Sequence, residues 1–145
     1  SSSSKSVKVD KQGRITIAAK FTGSARITIR SSATAGYNAA TKSITVTVNP
    51  AGITLTTAKN LSGRKAQITW KKNRYVTGYE IQYSVNKNFR SGSKKTLSGV
   101  SKTKYTLTKL QKNKTYYVRI RTYKKSGTKK YYSSWSKVKA VEAWK

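Results

Sequence analysis

The chain has 145 residues, and its 32 Lys and Arg residues against three acids give a formal net charge of +29. It contains no His, Cys or Met. General acid–base and metal chemistry depend mainly on His, Cys, Asp and Glu, and the only acids, Asp10, Glu80 and Glu142, are scattered along the sequence. The composition therefore argues against an enzyme, a cofactor or a metal site, and it favours an acidic, polyanionic partner.

Three Trp, ten Tyr and two Phe occur in a chain that is only 35% hydrophobic, which predicts a small core rich in aromatic rings. No apolar run approaches the roughly 18 residues that a membrane-spanning helix needs. The absence of Cys excludes a disulfide framework and is compatible with either redox compartment.

Polar and apolar residues alternate with a period of two through most of the chain, as they do in half-buried strands. Thr, Val, Ile and Tyr dominate these runs, and the sequence Asp10-Lys-Gln-Gly13 is typical of a hairpin turn between the first two. No helix of useful length is predicted. The expected strands cover residues 7–9, 15–17, 25–29, 43–48, 66–70, 79–84, 104–107, 116–123 and 138–143.

The sequence Asn49-Pro50-Ala51-Gly52 contains the only Pro and is the natural boundary, because Pro and Gly both interrupt a strand ladder. We predict one β module at residues 1–49, a linker at 50–52 and a second module at 53–145. The first 50 residues hold eight basic residues and one acid, whereas the remainder holds twenty-four basic residues and two acids. The second module therefore carries most of the positive charge.

Alternate residues of the strands at 66–70 and 116–123 form two apolar faces that can meet across the roughly 10 Å between packed sheets. One face consists of Ala66, Ile68 and Trp70, and the other of Tyr116, Val118 and Ile120. The sequence thus predicts an all-β fold, an antiparallel β-sandwich, with two small β modules in tandem.

Three motifs carry a resemblance to a known family: Gln67-Ile-Thr-Trp70, Gly78-Tyr-Glu-Ile-Gln-Tyr83 and Leu110-x5-Tyr116-x-Val118-x-Ile120. With these motifs, residues 53–145 resemble a fibronectin type III domain. The resemblance implies a tyrosine corner, in which a backbone group binds the Tyr116 hydroxyl. The Lys- and Tyr-rich composition resembles type III modules in surface proteins of gut Firmicutes, which implies a bacterial, extracellular or cell-surface location.

Residues 7–49 are similar to the C-terminal half of bacterial Ig-like repeats, through Gly23-Ser-Ala-Arg-Ile-Thr-Ile29 and Ile44-Thr-Val-Thr-Val48. About four strands fit here, whereas a complete repeat has about seven. We favour truncation, because Ser1 to Ser4 resemble an arbitrary or processed start. The alternative is that another chain completes the open edges by strand addition, which would allow self-association.

In a type III fold the B–C and F–G loops lie at the same end, and both are rich in cations here. The predicted polyanion-binding residues are Lys71, Lys72, Arg74, Lys124, Lys125, Lys129 and Lys130. Charges crowded at this density repel one another, so an anionic partner would stabilise them. The alternative interpretation is a solvated, solubilising surface.

Aromatic residues flank the same hairpin, and Tyr131, Tyr132 and Trp135 are candidate contacts for sugar rings or bases. The favoured alternative is internal. Tyr132-Ser-Ser-Trp135-Ser136 resembles the Trp-Ser-x-Trp-Ser element of cytokine-receptor type III domains, which implies that the rings stack with Arg119 and Arg121. Trp70 is expected in the core, and the role of Trp144 stays open.

These observations favour a non-enzymatic extracellular spacer or adhesion module of a bacterial surface or secreted protein. Its expected partners are acidic polymers such as wall teichoic acid, acidic glycans or mucin, bound through lysine clusters. Nucleic-acid binding is an alternative, because so basic a chain would bind DNA or RNA in vitro. A self-assembling subunit that uses the open Ig-like edges is the other alternative.

Overall fold

A computed structural model describes residues 1–143, and every regular element within them is a β-strand that pairs antiparallel. This confirms the all-β fold class. The strands are β1 (Val7–Val9), β2 (Ile15–Ile17), β3 (Gly23–Ser31), β4 (Ala40–Val48), β5 (Leu55–Leu61), β6 (Lys65–Trp70), β7 (Gly78–Ser84), β8 (Ser93–Ser98), β9 (Lys104–Leu107), β10 (Lys114–Ser126), β11 (Lys129–Tyr132) and β12 (Lys139–Ala143). Trp144 lies outside the described residues.

The chain divides into two compact units, Ser1–Asn49 and Pro50–Lys145. The first unit consists of two hairpins, β1–β2 and β3–β4. The predicted turn between β1 and β2 is confirmed: the Asp10 carboxylate accepts the Arg14 backbone N–H at 2.8 Å, and Gly13 supplies the positive φ of +81°. The fully buried apolar side chains of this unit are Val7, Ala25 and Ile27.

The second unit contains two sheets. One has the strand order β5-β6-β9, and the other has the order β11-β10-β7-β8, with β12 also paired to β10. Three strands, β5, β8 and β11, were not predicted from the sequence. All three lie at the edges of these sheets and keep most of their side chains exposed or half-buried. With so few core-facing residues, none of them has a strong alternating pattern.

The core of the second unit contains the two apolar faces predicted from the sequence. Trp70 is only 3% exposed and packs edge-on against Tyr79, with 5.3 Å between the ring centroids. Tyr116 is also buried, and its hydroxyl accepts the backbone N–H of Gln111 at 3.0 Å. The tyrosine corner is therefore confirmed.

Residues 50–52, predicted as a linker, are tied to the second unit. Pro50 is buried, and the carbonyl of Ala51 accepts a hydrogen bond from Thr122 Oγ1 at 2.7 Å. Because Thr122 lies in the middle of the second unit and is fully buried, this bond anchors the chain where it enters the sandwich.

Candidate polyanion-binding end of the second unit

Four of the predicted cations lie in strands, which corrects the prediction that they occupy a loop. Lys124 and Lys125 belong to β10, and Lys129 and Lys130 belong to β11. The connection is a two-residue turn, which Gly127 permits with its φ of +58°. Cross-strand pairing places Lys125 directly opposite Lys130, an arrangement of like charges that is unfavourable in the absence of an anion.

The loop of residues 71–77, between β6 and β7, contacts this hairpin. The backbone N–H of Thr77 donates to the carbonyl of Tyr123 at 2.8 Å, and the N–H of Lys125 donates to Thr77 Oγ1 at 2.9 Å. The loop and the hairpin therefore lie together at one end of the sandwich.

The remaining three predicted cations, Lys71, Lys72 and Arg74, line a groove of about 740 Å³. The opposite wall consists of Gly52, Ile53, Thr54 and Thr56, and Tyr75 lies on the same wall as the cations. The structure thus divides the seven cations into two clusters. We call them the loop cluster (Lys71, Lys72, Arg74) and the hairpin cluster (Lys124, Lys125, Lys129, Lys130).

A ladder of alternating rings and guanidinium groups covers the outer face of β10. Arg119 Cζ lies 4.1 Å from the Phe89 ring centroid and 4.6 Å from that of Trp135. Arg121 Cζ lies 4.3 Å from Trp135 and 3.9 Å from Tyr132. The internal stacking of Tyr132 and Trp135 with these two arginines is therefore confirmed, and both faces of Trp135 are covered by cations.

Strand β7 holds the two guanidinium groups in place. Arg119 donates through Nε and Nη2 to Gln82 Oε1 at 2.9 and 2.7 Å. Arg121 donates through the same two atoms to Glu80 Oε1 at 2.9 and 2.6 Å. Burial lowers the pKa of the Arg119 guanidinium, and the neighbouring charge of Arg121 lowers it further.

Two serines join the aromatic segment to β10. The N–H of Ser133 donates to the carbonyl of Thr122, while its hydroxyl accepts the Thr122 N–H at 3.0 Å. Ser136 makes the same pair of bonds with Ile120. Each serine hydroxyl thus acts as the acceptor that a strand carbonyl would otherwise provide, and Trp135 is held between the two arginines.

Sequence reasoning missed Phe89, the first ring of the ladder, together with Glu80 and Gln82. Phe89 is 7% exposed although it lies in a polar turn, and its φ of +55° is unusual for an aromatic residue. No local pattern marks it, because its contact with Arg119 depends on the pairing of β7 with β10.

The rings proposed as ligand contacts are largely occupied within the module. Tyr131 is 9% exposed, and Lys129 Nζ lies 5.4 Å from its ring centroid. Tyr132 has Arg121 on one face, and Trp135 has an arginine on each. Of the residues predicted to contact a ligand at this end, most of the cations are therefore more exposed than the rings.

The family model of the fibronectin type III domain matches residues 49–139. This is more than half of the chain, and the chain therefore belongs to the fibronectin type III family. No curated protein sequence matches it. Within residues 1–143, no helix has the length and apolar character that a membrane crossing requires.

Solved structures share the fold at low sequence identity. The fn3 domain of human contactin 1 is 16% identical, with a TM-score of 0.55, and the match covers 68% of this chain and 82% of that one. The FN1-FN3 domains of chicken CNTN1 are 13% identical, with a TM-score of 0.55, and the match covers 91% of this chain and 47% of that one. A myokine structure is 16% identical, with a TM-score of 0.53, covering 68% of this chain and 100% of that one.

Membership of this family indicates a general class of function. Fibronectin type III domains are commonly extracellular spacers or adhesion modules, and they are generally non-catalytic. The fold itself carries no ligand specificity, so a specific ligand has to be argued from individual side chains.

Proposed function

We propose that the chain is a non-enzymatic spacer and adhesion module of a bacterial surface or secreted protein, and that it binds acidic polymers through its lysine clusters. Wall teichoic acid, acidic glycans and mucin are the candidate polymers. The first unit would be the C-terminal part of an Ig-like repeat that extends the same surface protein.

One observation carries this proposal: the positive charge at the loop and hairpin clusters has no acidic partner among residues 1–143. Only two ion pairs occur in that part of the chain, Arg14 with Asp10 and Arg121 with Glu80. Glu80, on the same sheet as the hairpin, is therefore already bound within the ladder. A polyanion would relieve the repulsion between opposed residues such as Lys125 and Lys130.

An array of long polymers tests the proposal. Teichoic acid, acidic glycans and mucin are compared with duplex and single-stranded nucleic acid at about 150 mM salt, where the Debye length is roughly 8 Å. We expect the cell-surface polymers to remain bound. Replacing all four hairpin-cluster lysines with Gln should weaken that binding without unfolding the domain, because their head groups are not part of the core.

Retention of nucleic acid alone at this salt concentration would overturn the adhesion function. Light scattering at several protein concentrations serves as a control, because Ile29 and Ile44 are 55% and 41% exposed on the β3–β4 hairpin. Self-association through that hairpin would raise the apparent affinity for a long polymer by multivalency, so binding is compared at concentrations where the protein is monomeric.

A further inference from the structure

We infer that the groove between residues 52–56 and 71–75 is a binding site for a short anionic oligosaccharide, one that carries carboxylate or sulfate groups. The inference rests on the proposed function and narrows it. It assigns the primary contact to the loop cluster rather than to the hairpin cluster, and it names a sugar rather than a polyphosphate as the ligand.

The loop that carries the cations is fixed from within the core. The backbone N–H of Asn73 donates to the hydroxyl of Tyr79 at 2.9 Å, and that hydroxyl donates to the carbonyl of Val100 at 3.1 Å. Tyr79 is fully buried. Asn73 Oδ1 also accepts the backbone N–H of Tyr75 at 3.0 Å. The middle of the loop is therefore held in one conformation, which reduces the entropy lost on binding.

The opposite wall of the groove contains a break in the strand ladder. The pairing of β5 with β6 shifts register between Leu55 and Thr57, which leaves Thr56 as the extra residue. Bulges of this kind redirect side chains and end pairing. Thr54 and Thr56 are both exposed and line the groove, where their hydroxyls can donate to and accept from sugar hydroxyls.

The two cationic clusters differ in what their charged groups contact within the protein. Lys129 Nζ lies over the Tyr131 ring, and Lys130 Nζ lies 5.1 Å from the centroid of Tyr123. A ligand at the hairpin would compete with these cation–π contacts. By contrast, the side chains of the loop cluster have no carboxylate or ring partner in residues 1–143.

The mixture of groups in the groove matches a charged sugar. Arg74 presents a planar fork that fits a carboxylate or sulfate, and Lys71 and Lys72 add point charges. Tyr75 is 52% exposed, and its ring can lie against the apolar C–H face of a pyranose. A polyphosphate chain has no such face, so Tyr75 would contribute little to its binding.

Calorimetric titration of the full chain at about 150 mM salt tests this inference. The probes are a sulfated hexasaccharide, a polyphosphate of equal charge and a single-stranded oligonucleotide. Two variants remove the same number of charges: K71Q/K72Q/R74Q and K125Q/K129Q/K130Q. We expect the loop variant to lose about tenfold or more in hexasaccharide affinity and the hairpin variant less than about threefold, since each exposed charge contributes modestly.

The variant Y75A separates the sugar from the phosphate. We expect it to weaken hexasaccharide binding several-fold and to leave polyphosphate binding unchanged. Equal losses in the two charge variants, or tighter binding of the polyphosphate or oligonucleotide than of the hexasaccharide, would overturn the inference while leaving polymer adhesion intact. If the unmodified chain binds neither the hexasaccharide nor the polyphosphate at this salt concentration, the proposed function fails as well. Circular dichroism confirms that each variant is folded.

Discussion

Replacing Gly78 with alanine is expected to destabilise the second unit by about 2–4 kcal/mol. A Cβ atom at this position would collide with the backbone carbonyl of Leu97 on β8, and it would lie 2.9 Å from both Cε1 and Oη of Tyr123. Tyr123 is 2% exposed and is the cross-strand partner of Gly78 on β10. Neither the strand nor the packed ring can move without disturbing the sheet.

Thermal unfolding followed by circular dichroism measures this effect. A loss of this size corresponds to a fall in melting temperature of roughly 10–25 °C for a domain of about 95 residues. Gly52→Ala is the matched control, because no atom lies within 4 Å of the added methyl group. If the Gly78→Ala and Gly52→Ala proteins have the same melting temperature, β7 and β8 are not paired in this register.

Replacing Arg121 with methionine is expected to destabilise the second unit by about 2–4 kcal/mol, because it leaves the Glu80 carboxylate without a partner. The Glu80 side chain is only 9% exposed, and Arg121 is its ion-pair partner at 2.6 Å. The change also removes the cation between Tyr132 and Trp135. Part of the stability should return in the double variant Arg121→Met/Glu80→Gln, since the amide carries no charge.

Arg119→Met is the control for that prediction. It removes a similar stack and two hydrogen bonds, but its partner Gln82 is neutral, so we expect a smaller loss of about 1–2 kcal/mol. Denaturant unfolding of the four proteins gives the free energies. If the two arginine variants lose equal free energies of unfolding and Glu80→Gln restores none of it, leaving the Glu80 carboxylate unpaired does not destabilise the protein.

The strands that face the core on one side could be predicted from the sequence. In β10 the alternation of Tyr116, Val118 and Ile120 with Arg119 and Arg121 marks a core face and an outer face, and the structure places both as expected. The tyrosine corner was implied by the resemblance to fibronectin type III domains, and it agrees with the requirement that the buried Tyr116 hydroxyl has a backbone partner.

The remaining features depend on contacts between distant segments. Strand β8 buries only Leu97, so its sequence resembles that of a loop until its pairing with β7 is known. The four hairpin lysines were predicted as a loop because Lys favours exposed positions in either structure. The groove at the loop cluster could not be predicted, because its second wall is formed by a bulge near Thr56.

The central claim is that alternate side chains of β10 serve two separate purposes, the core and the cation–aromatic ladder. Proton–nitrogen NMR of the arginine side chains tests it most directly. We predict that the Nε–H groups of Arg119 and Arg121 exchange slowly with solvent and are shifted by the adjacent rings, whereas the exposed Arg74 exchanges quickly. If all three Nε–H groups exchange at the same fast rate, without ring-current shifts, the ladder does not exist in solution and the claim is contradicted.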